Sequence, residues 1–257
     1  MKRIGFSTGS IAFDDFQKGI ELLNQSSANA IELSALRESE LPALIGALDQ
    51  LVLDHFQYVS FHAPSKLNQI SEQELVKYLE KVMEKEWPIV IHPDIIGDFS
   101  LWKQFGSALC IENMDNRKSK GRTFEELNEI YTELPGASFC FDLAHVRQVD
   151  PTMQEGLTMI RNFSERLTQL HVSDVNSEGK HEPLNLETLL AFKKIAPLIP
   201  QNIPVIIESV VGEEKIEKEL KLASYIIDYE KFNRHLYALD PETSYFLEAK
   251  NGDALMT

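Results

Sequence analysis

The chain has 257 residues, 43% of them hydrophobic and 25% charged, with a formal net charge of -15 at pH 7. That length allows one large α/β barrel or two smaller domains, and the composition suits a globular protein with a sizeable core. The acidic balance counts against duplex nucleic acid as a partner, which needs a basic face, and no apolar stretch approaches the ~18 residues of a membrane span.

The two cysteines, Cys110 and Cys140, lie in apolar runs outside any CxxC motif. This predicts a reduced, cytoplasmic chain rather than a disulfide scaffold. The first strand-like run starts near Met1, so no signal peptide is expected ahead of it.

In chain order, short apolar runs alternate with segments of helical period. Residues 3–7 read as a strand and 14–23 as a helix. Residues 30–32 form the second strand, followed by a helix over 39–51 with Ser39 as its N-cap. After the strand at 58–62, Ser71-Glu72-Gln73-Glu74 is a capping-box pattern for a helix reaching about Glu86. The strand at 88–92 precedes a short helix over 100–105. The strand at 108–112 precedes a helix opened by Thr123-Phe124-Glu125-Glu126 with the same cap chemistry. Strands at 138–142, 170–171 and 204–208 are followed by helices over 151–166, over 186–199 and from Glu213, the last with Ile216, Leu220, Ala223 and Ile227 on one face. Residues 240–257 read as a C-terminal tail, with Asn251-Gly252-Asp253 suggesting a mobile end.

No linker or composition break divides the chain, so residues 1–257 are expected to form a single-domain (β/α)8 TIM barrel. A doubly wound open sheet is the structural alternative. Strand side chains alternate with period two. At one phase lie large apolar residues, among them Phe6, Leu33, Phe61, Ile91, Ile111, Phe141 and Ile207, as a helix-facing layer requires. At the other phase Gly5, Ala30, Ser60, Cys110 and Cys140 are small, as a tight barrel interior requires. The run ends Ser7, Glu32, His62, His92, Glu112, Asp142, His171 and Glu208 share this interior phase. They are expected to point inward at the C-terminal mouth, where barrel active sites are built. Carboxylates and imidazoles crowded there call for a cation; with O and N donors and no thiolate, zinc, manganese, cobalt and magnesium all fit.

The chain resembles the xylose-isomerase-like TIM barrels, which include sugar phosphate isomerases and epimerases and the endonuclease IV type of apurinic-site nucleases. The resemblance runs to about Gly212. It is carried by Phe61-His62-Ala63-Pro64, Ile91-His92-Pro93, Ile111-Glu112-Asn113-Met114-Asp115, Asp142-Leu143-Ala144-His145, His171-Val172-Ser173-Asp174, His181-Glu182-Pro183-Leu184 and Ile207-Glu208-Ser209. The resemblance implies a metal site at Glu112, Asp142, His171 and Glu208. In the epimerase-like branch it makes Glu112 and Glu208 the acid/base pair acting through an enediolate, with His145 on the substrate oxygens. In the nuclease branch it implies a second metal at His62, His92 and Glu112, and a third at His145 and His181. That third site also takes an aspartate two residues before the His181 position, where this chain has Gly179. His62 and His92 alternatively bond a sugar hydroxyl. Glu32 is expected to make a salt bridge or hydroxyl contact near the rim, and Asp174 to support the His171 loop or a neighbouring ligand.

Residues 116–122 hold four basic residues, Arg117, Lys118, Lys120 and Arg122. They follow Glu112 and are expected over the mouth, beside a helix whose positive end faces the same region. Arg117 and Lys118 are candidates for a phosphate contact; the alternative is a solvated loop balancing acidic neighbours. Three readings follow. The preferred one is a metal-dependent isomerase or epimerase of a sugar, sugar phosphate or related ketone. The second is a zinc phosphodiesterase acting on damaged DNA. The third is a barrel that binds a small polyhydroxylated ligand without turning it over.

Overall fold

The computed structural model describes residues 2–228; the tail at 240–257 lies outside the described residues. The barrel strands are β1 (Ile4–Ser7), β2 (Ala30–Ser34), β3 (Tyr58–His62), β4 (Ile89–Ile91), β5 (Leu109–Glu112), β6 (Ser138–Asp142), β7 (Leu167–Val172) and, after a two-stranded ribbon of β8 (Asp174–Val175) and β9 (His181–Glu182), β10 (Val205–Ile207). They close in the order β1-β10-β7-β6-β5-β4-β3-β2, each pair parallel. This is the expected (β/α)8 barrel, and the open-sheet alternative is excluded.

The helices are α1 (Thr8–Ala12), α2 (Phe16–Asn24), α3 (Leu41–Ala47), α4 (Glu72–Met83), α5 (Phe99–Trp102), α6 (Phe124–Glu133), α7 (Leu143–Val149), α8 (Gln154–Phe163), α9 (Leu186–Phe192) and α10 (Ile216–Ile226). Their apolar faces join the outward residues of the strands, including Phe6, Leu33, Phe61, Ile91, Ile111, Phe141 and Ile207, in one core. Inside the barrel Val90, Cys110 and Cys140 form a separate small cluster. The two strand phases therefore serve two different layers.

The interior is tight at β1: a Cβ on Gly5 would stand 1.6 Å from the carbonyl oxygen of Ala30 on β2. Backbone cannot yield as a side-chain tip does. Gly5→Ala is therefore expected to cost at least ~3 kcal/mol, read as a lowered urea midpoint or loss of soluble folded protein. An unchanged midpoint would show that this contact does not set the closure of the barrel.

Ser71 and Glu74 make the full capping box of α4. At α6 only half of it forms: Thr123 accepts from the Glu126 N–H, while the Glu126 carboxylate turns to the Arg122 N–H and guanidinium. Ser39 does not cap α3. That helix starts at Leu41 with Pro42 in its first turn, and the Glu40 carboxylate at the cap position reaches back to Arg37. The segment read as one helix from 151 begins only at Gln154, because the Asp150 carboxylate accepts from the N–H groups of Thr152 and Glu155 and Met153 adopts a left-handed φ of 64°.

Candidate metal centre and its cavity

Asp142 ends β6 and also caps α7, its Oδ1 accepting from the His145 N–H at 2.7 Å. One residue thus fixes both the carboxylate and the imidazole a turn later. Asn113, just beyond β5, locks the pair: its amide exchanges two hydrogen bonds with the Asp142 backbone at 2.8 Å. Its carbonyl accepts from His145 Nδ1 at 3.0 Å, which turns His145 Nε2 the other way, to 3.8 Å from Asp115 Oδ2.

Glu112 is the hub. Its Oε1 lies 3.0 Å from His171 Nδ1 and 3.6 Å from His145 Nδ1, and its Oε2 lies 3.1 Å from His92 Nε2 and 3.3 Å from His62 Nε2. Glu208 approaches from β10, its Oε1 lying 3.4 Å from the same His171 Nδ1. Each of Glu112, Asp142, His171 and Glu208 offers a ligand atom, and these atoms lie within 4.8 Å of one another. A second group at the same spacing is His62, His92 and Glu112. Among the described residues no such group includes His145 or His181. Those two rings are 5.5 Å apart, and His181 Nδ1 is engaged by the Ser173 hydroxyl. Cys140 lies within 4.8 Å of Glu112 and His171; in the metal-free protein burial and a bond to Cys110 push its thiol well above the usual range.

The charges explain why a cation suits this place. Burial would raise Glu112, but His171, His62 and His92 outweigh it and hold the carboxyl well below its usual range. Asp142 goes the other way: burial, helped by the charges of Glu112 and Glu208, raises it to about 7. Burial lowers His62, yet its bond to Glu112 and the charge of Glu32 lift it to about 9. Asp142 Oδ2 is buried without a hydrogen-bond partner. An orphaned carboxylate oxygen among three further ligand atoms fits a divalent cation, which would supply the missing contact.

The cavity above these groups measures about 450 Å³ and is lined by Ser7, His62, His92, His145, His181 and Glu208, with Phe13, Leu36 and Val210 as apolar rim. The ribbon of β8 and β9, not anticipated from the sequence, carries His181 over the mouth.

Glu32 is not at the rim. β2 runs on to Ser34, and Glu32 is fully buried, bonded to Ser60, Gln169 and His171. Asp174 touches no candidate ligand; it takes Arg147 and Asn185 and so ties the ribbon to α7 and the start of α9. In the basic loop Arg117 pairs with Asp115, Lys118 with Asp94 and Arg122 with Glu126. Arg117 and Lys118 nevertheless line the cavity. The N-terminus of α6 does not line it, and its Phe124 N–H is taken by Glu155. Lys66, which no sequence motif marks, lines the rim and has no ion-pair partner among the described residues. Gly179 has a φ of +72°, and a Cβ there would stand 2.0 Å from Arg117 Nε; the guanidinium lies against this bare backbone.

No protein-family model and no curated protein matches the chain in sequence. In structure it is similar to endonuclease IV from Thermus thermophilus, at a TM-score of 0.56 and 18% identity over 88% of this chain and 99% of that one. It is similar to a xylose isomerase domain protein from Alicyclobacillus acidocaldarius, at a TM-score of 0.60 and 12% identity over 90% and 100% of the two chains. A xylose isomerase-like TIM barrel protein from Mycobacterium smegmatis, in complex with magnesium, matches at a TM-score of 0.53 and 12% identity over 88% and 97%. At such identities the likeness is one of fold. By that measure the chain has the fold of a (β/α)8 TIM barrel.

Proposed function

We propose that the protein is a divalent-metal-dependent isomerase or epimerase of a sugar, sugar phosphate or related ketone. The observation that carries this reading is the approach of Glu112 Oε1 and Glu208 Oε1 to one atom, His171 Nδ1, at 3.0 and 3.4 Å. Two carboxylates flank a single ligand point, and one of them, Glu208, lines a small cavity. A cation held by Glu112, Asp142, His171 and Glu208 would act as a Lewis acid on a carbonyl and an adjacent hydroxyl oxygen. Glu208 would take the proton from the carbon beside the carbonyl, and Glu112 would return one drawn from the His62 imidazolium 3.3 Å from its Oε2, with Glu208 giving its own proton up to solvent. His145 holds a substrate oxygen through Nε2, since its Nδ1 is committed to Asn113. The cations that line the cavity and would meet a single phosphate are Lys66, Arg117 and Lys118, the last two each already holding one carboxylate. The two buried free thiols support a reducing, cytoplasmic setting.

Solvent deuterium wash-in tests the reading. With added Mn²⁺, Co²⁺ or Zn²⁺, deuterium is expected at the carbon next to the carbonyl of at least one ketose or ketose phosphate, and Glu208→Gln is expected to remove it. No exchange across a broad panel defeats the proposal.

A second reading, a zinc phosphodiesterase, is favoured by one observation: the group His62, His92 and Glu112 adjoins the first and shares Glu112 with it, as a two-metal site requires. Against it, the cations of the basic loop are largely neutralised by carboxylates, in a chain of net charge -15. Cleavage of an abasic-site oligonucleotide, with no isotope exchange, would promote it.

A further inference from the structure

Glu32 has no task in the proposed reaction, yet it is fully buried among its groups. Its two oxygens are treated very differently. Oε2 accepts from the Ser60 hydroxyl at 2.9 Å and the Gln169 amide at 2.8 Å, and lies 3.1 Å from His171 Nε2. Gln169 is itself held by the Tyr58 hydroxyl. The carboxylate is therefore clamped by one end. Oε1 is buried and has no hydrogen-bond partner. A carboxylate oxygen removed from water with nothing in exchange is unfavourable unless a cation meets it.

The neighbours supply such a place. Glu32, His62, His171 and Glu208 each offer a ligand atom, and the four atoms lie within 4.8 Å of one another. The rings of His62 and His171 are nearly parallel, 21° apart with centroids at 5.8 Å. His62 Nδ1 is anchored on the Ala63 carbonyl, which leaves Nε2, 3.3 Å from Glu112 Oε2, as the atom it can offer a metal. This donor set has two nitrogens and two oxygens, against one nitrogen and three oxygens for Glu112, Asp142, His171 and Glu208. Imidazole-rich sets favour zinc, whereas carboxylate-rich sets also suit manganese and magnesium.

We propose that Glu32 is a metal ligand, and that Glu32, His62, His171 and Glu208 form a further cation position with a preference for zinc. It rests on the reading of this mouth as a metal centre, and adds to it a ligand and a selectivity.

The test uses the full chain stripped of metal by a chelator. Crystals are soaked in Zn²⁺ or in Mn²⁺, and anomalous differences locate each ion. Zinc is expected about 2.0–2.2 Å from a Glu32 oxygen, and manganese at the Asp142 carboxylate. In solution, competition with a chromophoric chelator is expected to show a tenfold or greater loss of Zn²⁺ affinity in Glu32→Gln, with Mn²⁺ affinity changed less than threefold. If Glu32→Gln does not fold, as its melting profile will show, the zinc position in the unaltered protein decides alone. Zinc bound only at Glu112 and Asp142, with Glu32 merely bonded to His171 Nε2, overturns the assignment and leaves the metal centre standing. Neither ion bound at either position overturns both.

Discussion

Glu112→Gln is expected to remove isotope exchange by at least ~10³-fold and to lower the stability of the metal-free protein by about 3–5 kcal/mol. The reason is the number of partners that one carboxylate serves. Its two oxygens face four imidazoles, those of His171, His92, His62 and His145, at 3.0, 3.1, 3.3 and 3.6 Å. A glutamine of the same shape offers one acceptor in place of two and turns an amide donor toward rings that are themselves donors. His62 and His171 would be left buried with one counterion fewer, Glu32 and Glu208 alone remaining, or would release protons more readily. Cation binding suffers as well, because Glu112 belongs to both the four-ligand group and the His62–His92 group. Mn²⁺ affinity by calorimetry is expected to fall at least ~100-fold, more than the loss of a residue that merely orients a ligand would cause. Urea unfolding in a chelator measures the stability change. Stability and Mn²⁺ affinity close to those of the unaltered protein would remove Glu112 from the centre of the site.

Much of this arrangement is legible in the sequence because the rule behind it is local. Period two along a strand sorts Phe139 and Phe141 from Cys140 and Asp142 without any knowledge of neighbours. The same phase at eight run ends then predicts one mouth. What is not legible depends on partners distant in the chain. Glu32 reads as a strand end only if β2 stops there; it continues for two residues, to Ser34, and buries Glu32 against Gln169 and His171, 137 and 139 residues away. The four basic residues at 117–122 read as one positive run, and the carboxylates that pair with three of them, Asp94, Asp115 and Glu126, are not marked by any spacing. α7 escapes the pattern because Asp142 does two jobs, ending β6 and capping the helix, and strand periodicity assigns it only the first. Asn113 and Asp115 stand in one strand-end motif, but nothing in their spacing reveals that one locks Asp142 and the other holds Arg117.

The stability of the metal-free chain is expected to fall as pH rises from about 6.5 to about 9, by on the order of 3 kcal/mol from His62 alone. Folding raises the His62 imidazole from its ordinary 6.5 to about 9. The folded state therefore binds a proton that the unfolded state has released, and the stabilisation is complete below 6.5 and lost as pH climbs through 9. His145 and His171 are also raised, burial opposing and the surrounding carboxylates winning, so both add to the same slope. Asp142, raised to about 7, has lost most of its contribution before this window opens. His92 and His181 are lowered by burial; their effect lies below 6.5 and leaves the window untouched. A bound cation should reverse the trend. It needs Asp142 ionised and the ligand nitrogens of the histidines free of protons, so binding expels protons and tightens as pH rises. Urea midpoints taken across this range should descend in chelator and hold or climb with saturating Mn²⁺. A flat series in chelator would mean that His62 is not held as an imidazolium between Glu112 and Glu32, and the charge balance of the site would have to be redrawn.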